Sequence, residues 1–587
     1  MCALMNRGIL LTVTIALALF AGCKARTPER VAPNILFISV DTLRQDHLGC
    51  YGYPRSTSPR IDEIARRGTV FETGVSTSSW TLPAHTSMLT GLYPAFHGLQ
   101  DDGSTLSSEI MTLGEALRES GYHTMGVVSH VYVSSEFGLD RGFDRFDDSL
   151  IRGGARNPIA GEVVDAALEL FGSVPRKPYF AFLHFFDPHW DYAAPEPFRD
   201  AFADPGYRGA IDGTLRAMMP YLRGDRTMPP ADLAQAIALY DGEIAYLDAQ
   251  IGRLLDRLRE MGLMEGTVVV LTADHGEEFR EHGRLGHGKT LFGEVLAVPI
   301  ILSGHSAFPA GRRRVHLASI VDLAPTLLEL AGVEPIEGLQ GHSLVAPEDH
   351  DERVVFAESI RFGNEMRAVR HQRFKLIHSL QGDRRLFFDL EADPHERHLL
   401  TADPSGGDIG ARLDDFAAEA DRGWHLKMIA LSGGELSCRG TIRVDGRIVN
   451  PRRTYSGHLE GPNKAEFRTF ELSPAGDALT FDVRLTFLIG EITFETAPPD
   501  AAVSFDIDAR SAAATAGVFL GRGIATPPGG PLRLAQNDPR VRGLPPDYIG
   551  AVPGCYVRAV PARLTPGDEP SLSQEALRRL RALGYVQ

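Results

Sequence analysis

Three apolar runs in this sequence end in an aspartate, and acids at strand ends are good candidates for metal ligands. The runs close on Asp41, Asp187 and Asp274, and the third acid is followed directly by His275. Because ligand sites of α/β sheets lie beyond the carboxyl ends of the strands, these acids are expected to converge. Asp41, Asp274 and His275 form a set suited to Zn²⁺, Mn²⁺, Mg²⁺ or Ca²⁺. An aspartate in a structural turn is the alternative.

A threonine near the start of a predicted helix is a candidate nucleophile. The segment from Ser79 to Gly91 looks like a loop that runs into a helix, with Thr81 near the helix start. Helix N-terminal amides stabilise an anion, and a nearby cation lowers the pKa of a hydroxyl group. Thr81 therefore suits nucleophilic chemistry, whereas the simpler interpretation is a threonine that caps the helix.

Strands and helices alternate along the first part of the chain, and they must position these residues. The acid-tipped runs are typical of buried parallel strands, and helices are predicted where apolar residues recur every three or four positions. This alternation predicts a doubly wound α/β catalytic domain over residues 34–345. The predicted core strands are Asn34–Asp41, Tyr179–Asp187, Thr267–Asp274 and Val298–Leu302, and the predicted helices are Ile244–Leu258 and Ile320–Gly332.

The later part of the chain has a different pattern, dominated by short β-type segments. Residues 350–400 predict a small antiparallel subdomain, and residues 421–566 predict an accessory β-rich domain because polar and apolar residues alternate. A helix is predicted over residues 570–587. Cys438 and Cys555 both fall in the accessory domain, where they either pair or remain free thiols beside Cys50.

The N-terminus has the pattern of an export signal. Arg7 precedes a short apolar run, and Leu19-Phe20-Ala21-Gly22-Cys23 resembles a bacterial lipobox. This pattern predicts a lipoprotein signal peptide over residues 1–22, a lipid on Cys23 and a tether over residues 23–33. The expected location is the bacterial cell envelope, at the outer membrane or the periplasmic face. An uncleaved membrane anchor is the alternative.

Composition and charge exclude several classes of protein. The 587 residues carry a formal net charge of −16, and the absence of a basic balance argues against nucleic acid as a partner. With 43% hydrophobic and 23% charged residues, the chain is neither largely disordered nor a multispanning membrane protein. An anionic substrate must therefore be attracted locally, by a metal or a few cations.

Several motifs, taken together, resemble the sulfatases of the alkaline phosphatase superfamily. Thr81-Leu-Pro-Ala-His85, followed by Thr90-Gly91, is similar to the sulfatase active-site motif, which reads Cys or Ser, any residue, Pro, any residue, Arg, and then Thr-Gly. The resemblance implies a doubly wound mixed sheet of alkaline-phosphatase/sulfatase type. Further matching motifs are Asp41-Thr-Leu-Arg-Gln-Asp46, Asp187-Pro188-His189, Asp274-His275-Gly276, Gly286-His287-Gly288-Lys289 and Asp393-Pro394-His-Glu396.

Two departures from the sulfatase motif change the expected chemistry. Sulfatases oxidise the first motif residue to formylglycine, and Thr81 cannot yield that aldehyde, so no formylglycine is expected. His85 replaces the arginine that would support it. Threonine followed by proline and histidine is similar instead to the nucleotide pyrophosphatase/phosphodiesterases, in which threonine is the nucleophile. Thr42 stands where many sulfatases have a second metal-binding aspartate.

The resemblance assigns roles to the remaining candidates. Asp41, Thr81, Asp274 and His275 are expected to hold one divalent metal, and Asp187, His189 and His287 are candidates for a second. Thr81, His85, His189 and Lys289 are the expected catalytic residues, and Lys289, His189 and His130 the expected substrate-binding residues. Lys289 and His130 each have a surface alternative. His123, His184 and His282 are interpreted as structural.

The resulting hypothesis is a metal-dependent hydrolase that cleaves sulfate or phosphate esters through Thr81. Its expected substrate is a small anionic ester or one derived from a glycan or lipid. A threonine adduct must be hydrolysed by water, which favours phosphorus over sulfur. The alternatives are a formylglycine-independent sulfatase, a phosphoglycerol- or phosphoethanolamine-type transferase, and an inactive binding module.

Overall fold

The computed structural model describes residues 32–560 with gaps. The gaps are residues 101–104, 152–156, 176–177, 346–352, 359–360, 363–364, 381–382, 431–434, 457–464, 487–488, 500, 512–515, 521–522, 525–531, 535–540 and 542–553. The predicted signal peptide, Cys23, most of the predicted tether and the predicted C-terminal helix lie outside the described residues. Within the described part, no helix combines the length and the apolar character needed to cross a membrane.

An eight-stranded mixed sheet forms the centre of the catalytic domain. Its strand order is β10-β2-β9-β6-β1-β5-β3-β4, and β9 runs antiparallel to both of its neighbours. β1 lies between β5 and β6, parallel to both, so the ends of these three strands meet at one edge. The strands are β1 Asn34–Val40, β2 Gly68–Val75, β3 His123–Val127, β4 Arg145–Asp147, β5 Tyr179–Phe185, β6 Thr267–Ala273, β9 Ile300–Ser303 and β10 Arg312–Ser319, with a hairpin of β7 Glu278–Phe279 and β8 Leu285–Gly286 beside them.

Helices pack around this sheet and bury its apolar strands. The longest, α7, begins at Pro230 and ends at Glu260, well upstream of the start that the apolar spacing predicts. Its apolar side chains pack with those of β1 and β5 in one core cluster. The α-helices are α1 Pro59–Arg66, α2 Thr81–Thr90, α3 Pro94–His97, α4 Leu113–Glu119, α5 Ala160–Phe171, α6 Leu215–Leu222, α7 Pro230–Glu260, α8 Gly293–Leu296, α9 Leu323–Ala331 and α10 Asp408–Ala420.

A four-stranded antiparallel sheet follows the catalytic core. It runs in the order β11-β12-β13-β14, with strands Val354–Glu358, Met366–His371, Phe374–Ser379 and Arg384–Asp389. Lys375 of β13 donates to Glu396 at 2.7 and 3.0 Å, and Glu396 accepts the backbone N–H of Gly293 at the start of α8. This buried ion pair therefore ties the antiparallel sheet to the loop that leads into the catalytic core.

Two further sheets form the accessory domain after residue 421, and they enclose a separate apolar core. Cys438 and Cys555 lie in that core, on strands of different sheets, as free thiols. Burial and contact with Cys438 raise the pKa of Cys555. The strands are β15 Gly423–Ile429, β16 Glu435–Val444, β17 Arg447–Ser456, β18 Ala465–Leu472, β19 Ala478–Thr486, β20 Ile489–Ala497, β21 Val503–Ser511, β22 Gly517–Leu520, β23 Gly523–Ile524, β24 Leu532–Leu534 and β25 Gly554–Val560.

Candidate active site

A buried group of two carboxylates and one imidazole lies where β1 and β6 end. One ligand atom from each of Asp41, Asp274 and His275 falls within 4.8 Å of the others, and no other such group of His, Cys, Asp or Glu occurs among the described residues. Asp274 Oδ1 accepts the backbone N–H groups of Thr42 and His275, at 3.1 and 2.7 Å, which fixes the carboxylate. The opposite oxygen, Oδ2, is left for the centre of the group.

This donor set fits a divalent cation. Among the described residues, neither Asp41 Oδ1 nor Asp274 Oδ2 has a hydrogen-bond partner, although both are buried. His275 Nδ1–H donates to the carbonyl of Gly276 at 2.9 Å, so Nε2 presents its lone pair to the carboxylates. Two fully buried carboxylates side by side are unfavourable unless a cation neutralises them. These three residues would therefore hold such an ion.

The pKa shifts of the group have a common physical origin in burial. Burial and the charge of Asp41 raise the pKa of Asp274 well above its ordinary value. Burial opposes ionisation of Asp41 too, but the nearby rings of His184, His189 and His275 bring its pKa below the ordinary value. Burial and the proximity of His287 lower the pKa of His275 to about 3. The imidazole of His275 is therefore neutral, as metal ligation requires.

Thr81 is the first residue of α2, and its hydroxyl faces Asp41 and His275. Oγ1 lies 3.4 Å from Asp41 Oδ2 and 3.4 Å from His275 Nε2. The side chain is almost fully buried, at 4% exposure, so its surroundings are fixed by the fold. The fold thus places the Thr81 hydroxyl beside Asp41 and His275.

His85 stands one turn further along α2 and acts on Thr81 through the backbone. Its Nδ1–H donates to the carbonyl of Thr81 at 2.9 Å, and its Nε2 accepts from the hydroxyl of Ser39 at 2.9 Å. Burial and the neighbouring His184 lower the pKa of His85, so the ring is neutral. His85 also lies 3.5 Å from Asp274 Oδ2, so it contacts the metal group as well as fastening the start of α2 to β1, and its catalytic role stays a prediction.

His184, which the sequence analysis interpreted as structural, lies beside the carboxylate of Asp41. Its Nε2 lies 3.7 Å from Asp41 Oδ2, and its Nδ1 lies 3.1 Å from the hydroxyl of Ser129. The residue is the sixth of seven buried positions in β5. Because an apolar run surrounds it, the sequence offers no signal that separates this histidine from an ordinary core residue.

Three further histidines surround the mouth of the site. The rings of His189 and His287 are 4.9 Å apart, and the ring of His287 is 4.6 Å from that of His275. His189 Nδ1–H donates to the carbonyl of Trp190 at 3.0 Å, which leaves Nε2 for a ligand. His130, at 6.3 Å from the ring of His189, completes the set. The structure therefore groups all three predicted histidines.

His287 and His130 are both held neutral by their surroundings. Burial and the nearby His189 lower the pKa of His287 to about 3, and burial lowers that of His130 to about 3. His287 Nδ1 also lies 3.2 Å from Oε1 of the fully buried Glu277. Burial raises the pKa of Glu277 to about 8. The sequence analysis did not single out Glu277, although it follows Asp274-His275-Gly276 directly.

Asp187 is not brought to the other residues of the predicted second metal site. Burial raises the pKa of Asp187 to about 7, and its carboxyl group interacts with that of Glu243 of α7. Burial and the charge of Asp187 raise the pKa of Glu243 as well. No group of Asp187, His189 and His287 with metal-binding spacing forms among the described residues. The three candidates therefore lack metal-binding spacing in the described part of the chain, and the second metal site stays a prediction.

Lys289 lies close enough to Glu277 and Glu278 for their charges to act on its ammonium group. Its Nζ donates to the carbonyl of Leu285 at 3.1 Å. Burial lowers the pKa of Lys289, and the charges of Glu278 and Glu277 oppose that shift. Its charge also acts on His287, whose pKa it helps to lower. Lys289 thus lies at the rim of the histidine group.

Known proteins match this chain over its catalytic part and its antiparallel subdomain. The family profile described as Sulfatase matches residues 33–333, and the profile described as N-sulphoglucosamine sulphohydrolase, C-terminal, matches residues 281–421. The first match spans more than half of the sequence and contains Asp41, Asp274 and His275. The chain belongs to the sulfatase family. The family assignment made from the motifs, and the expectation of an ester-hydrolysing enzyme, are thereby confirmed.

Curated relatives of this sulfatase are identical to it at about a quarter of the aligned positions. An N-acetylglucosamine-6-O-sulfatase of Bacteroides thetaiotaomicron is 24% identical over 488 residues, covering 67% of this chain and 87% of the relative. An uncharacterized sulfatase of Escherichia coli, YidJ, is 26% identical over 434 residues, covering 65% and 86%. The multifunctional alkaline phosphatase superfamily protein PehA of Trinickia caryophylli is 24% identical, covering 67% and 95%.

Solved structures confirm the fold of the sulfatase. A protein in complex with D-glucosamine-2-N,6-O-disulfate aligns with a TM-score of 0.55 at 22% identity, covering 66% of this chain and 97% of that one. A phosphonate monoester hydrolase of Agrobacterium radiobacter aligns with a TM-score of 0.53 at 22% identity, covering 66% and 95%. The predicted α/β class with a mixed sheet and added antiparallel sheets is therefore confirmed.

Proposed function

We propose that this sulfatase-family protein is a metal-dependent hydrolase of sulfate or phosphate esters in which Thr81 is the nucleophile. The observation that carries the proposal is the position of Thr81 Oγ1, 3.4 Å from both Asp41 Oδ2 and His275 Nε2 at the first residue of a helix. A divalent cation held by Asp41, Asp274 and His275 would lower the pKa of the hydroxyl and stabilise negative charge on the transferred group.

Side chains of the protein would supply the nucleophile and the proton for the leaving group. Thr81 releases its hydroxyl proton to solvent, and Oγ1 then attacks the phosphorus or sulfur atom in line with the leaving oxygen, whose bond breaks as the new bond forms. His189 in its protonated form can give a proton from Nε2 to the leaving oxygen, since Nδ1 is engaged by the Trp190 carbonyl. Water then cleaves the adduct on Thr81, which regenerates the hydroxyl and releases the acid.

The nature of the adduct favours phosphoric over sulfuric esters. Threonine carries no second hydroxyl from which an adduct could collapse to an aldehyde, so water must attack the transferred group itself. The buried His85 is neutral and lends no positive charge to the nucleophile. Both features suit hydrolysis of a phosphothreonine. The sulfatases and phosphonate monoester hydrolases among the similar proteins keep both ester classes open for testing.

A direct test compares ester classes, metals and variants of Thr81. Aryl sulfates, phosphate monoesters and diesters, and phosphonate monoesters are offered to the protein loaded with Zn²⁺, Mn²⁺, Mg²⁺ or Ca²⁺. We expect Thr81→Ala to lower kcat by about a thousandfold or more, because the nucleophile is lost. Thr86→Ala is the matched control, since Thr86 lies on the same helix and bonds only the carbonyl of Leu82. Unchanged turnover by Thr81→Ala would exclude this mechanism.

The transferase alternative differs only in the acceptor of the transferred group. Turnover in the presence of small alcohols separates the two, because a transferase forms the new ester at low alcohol concentration and a hydrolase releases the free acid. Rapid acid quenching followed by mass spectrometry is expected to find the transferred group on the peptide that contains Thr81.

We also propose that the protein is exported and held at the bacterial cell envelope by a lipid on Cys23, where it meets small anionic esters. The lipobox-like segment before Cys23 supports this proposal. Fractionation of cells that produce the full chain tests it: the parent protein should remain with membranes, and Cys23→Ser should not carry the lipid. Equal fractionation of both proteins would contradict the anchor.

A further inference from the structure

We propose that Arg361 binds an anionic substituent on the leaving group of the substrate, so that the preferred ester carries a second negative charge beyond the group that is transferred. This inference rests on the proposed function, because it concerns the same site. Arg361 lies in the loop between β11 and β12, outside every motif that the sequence analysis used.

The backbone places Arg361 at the mouth of the site. The N–H groups of Arg361 and Phe362 both donate to the carbonyl of Gly288, at 2.9 and 2.7 Å. The N–H of Gly288 in turn donates to the carbonyl of Ser79, at 2.8 Å, two residues before Thr81. This chain of hydrogen bonds joins the antiparallel subdomain to the nucleophile loop, so the position of Arg361 is linked to that of Thr81.

Aromatic side chains hold the guanidinium group of Arg361. Its Cζ lies 4.8 Å from the ring centroid of Trp80 and 4.9 Å from that of Tyr132, and Nη2 donates to the hydroxyl of Tyr132 at 2.6 Å. Trp80 immediately precedes Thr81. Stacking of this kind orders the long side chain before a ligand arrives and so reduces the entropy cost of binding.

Two glycines allow the walls of the mouth to close around His287. A Cβ atom on Gly286 would come within 2.6 Å of Trp190, and one on Gly288 would come within 3.2 Å of Arg361. Trp190 and Arg361 therefore flank His287 closely, and the rings of Trp190 and His287 are 5.5 Å apart. The mouth thus offers an aromatic surface and a fixed cation to the part of the ester that leaves.

Arg361 supplies a local positive charge in a protein whose net charge is negative. The chain carries a formal net charge of −16, so its general field repels an anionic ester. Arg361 and Lys289 both act on His287, and both help to lower its pKa. Arginine presents several N–H donors in one plane, which suits a carboxylate, sulfate or phosphate group. A leaving group with such a substituent gains a charge-assisted contact that a neutral one lacks.

The test uses two aryl esters that differ by one charge. One releases 4-hydroxybenzoate and the other releases its neutral methyl ester, with the transferred group being the one that the metal-loaded parent protein hydrolyses fastest. We expect Arg361→Met to lower the ratio of kcat/KM for the charged ester to kcat/KM for the neutral ester by about 10- to 100-fold. Arg361→Lys should be intermediate, because it keeps the charge without the planar donors.

Arg373→Met is the matched control, because Arg373 also stacks on an aromatic ring, at 5.0 Å from the centroid of Phe374, in the same subdomain but away from the site. Calorimetry with the two released phenols measures the same preference without turnover, so it stays informative even if the proposed hydrolysis fails. The inference is overturned if the parent protein binds both phenols equally. It is also overturned if Arg361→Met weakens the charged and neutral compounds to the same extent.

Discussion

Asp41 and Asp274 are two neighbouring carboxyl groups that the fold buries at 0% exposure, so ionising both without a metal costs folding free energy. Asp41→Asn removes one charge. We therefore expect this variant to be at least as stable as the parent without metal but to gain less from metal. At a metal concentration one hundred times Kd, the parent should gain about 2.7 kcal/mol. Thermal unfolding with and without each divalent ion, after treatment with a chelator, measures both effects.

A matched variant separates the metal effect from a general effect of mutation. Asp248→Asn also removes a buried carboxylate, but Asp248 accepts backbone N–H groups of α1, from Arg60 and Ile61, and lies outside the metal group. It should destabilise the protein while preserving the gain in stability on metal addition. If metal stabilises Asp41→Asn as much as the parent, Asp41 is not a ligand.

The sequence permits prediction of the ligands but not of every neighbour. Asp41, Asp274 and His275 follow β1 and β6 directly, so parallel pairing alone brings them together. Asp187 follows β5 in the same way, but its side chain turns to Glu243 of α7. That contact depends on how a helix packs more than fifty residues later. Arg361 reaches the site from a different sheet, which local patterns do not reveal.

Hydrogen bonds of His85 to the Thr81 carbonyl and the Ser39 hydroxyl hold the start of α2, and with it the proposed nucleophile. His85→Ala would leave the carbonyl of Thr81 and the hydroxyl of Ser39 without their buried partner. We expect a loss of about 1–3 kcal/mol in the free energy of unfolding and a fall in kcat larger than the change in KM. Urea unfolding and steady-state kinetics measure these changes.

His123→Ala is the comparison for this histidine, because His123 lies at the beginning of β3 and pairs with Asp144 at 3.2 Å, away from Thr81. It should leave kcat close to that of the parent. A His85→Ala protein with normal kcat would show that α2 keeps its position without the His85 contacts.

The ion pair between Lys375 and Glu396 fastens the antiparallel sheet to the catalytic core. Both side chains are 3% exposed, so removal of one partner leaves a buried charge. We expect Glu396→Ala to cost about 3–5 kcal/mol of unfolding free energy. Lys375→Met combined with Glu396→Leu should cost clearly less, because neither charge remains. Equal losses in the single and double variants, measured by urea unfolding, would show that the pair itself contributes little.

Element types were easier to predict than element ends. The helix around Ile244–Leu258 was expected, but α7 begins at Pro230, because its first turns have a weaker apolar pattern. The predicted strand at Val298–Leu302 begins at Ile300 and runs antiparallel to β2 and β6. Its direction depends on the path of the connecting loop, and a short apolar run carries no information about that path.

At the scale of the whole molecule, the chain has separate apolar cores joined by polar contacts. The core of the accessory domain shares no residue with the core that surrounds the active site, among the residues that the structure describes. The two parts meet through charged groups: Arg367 of β12 pairs with Asp421 at 2.5 Å, and Arg452 of β17 donates to the carbonyls of Ala95 and Phe96. Such contacts allow one part to unfold before the other.

The three tryptophans of the chain report on these parts separately, since Trp80 and Trp190 line the active site and Trp424 is fully buried in the accessory core. Trp424→Ala should cost about 3–5 kcal/mol within the accessory domain alone. We therefore expect urea to unfold that domain earlier, detected by circular dichroism, while the fluorescence of Trp80 and Trp190 and the turnover that depends on Thr81 persist to higher urea. Leu254→Ala, in the core of α7, should reverse this order. A single transition that removes turnover and all structure together in Trp424→Ala would mean instead that the polar contacts couple the two cores into one cooperative unit.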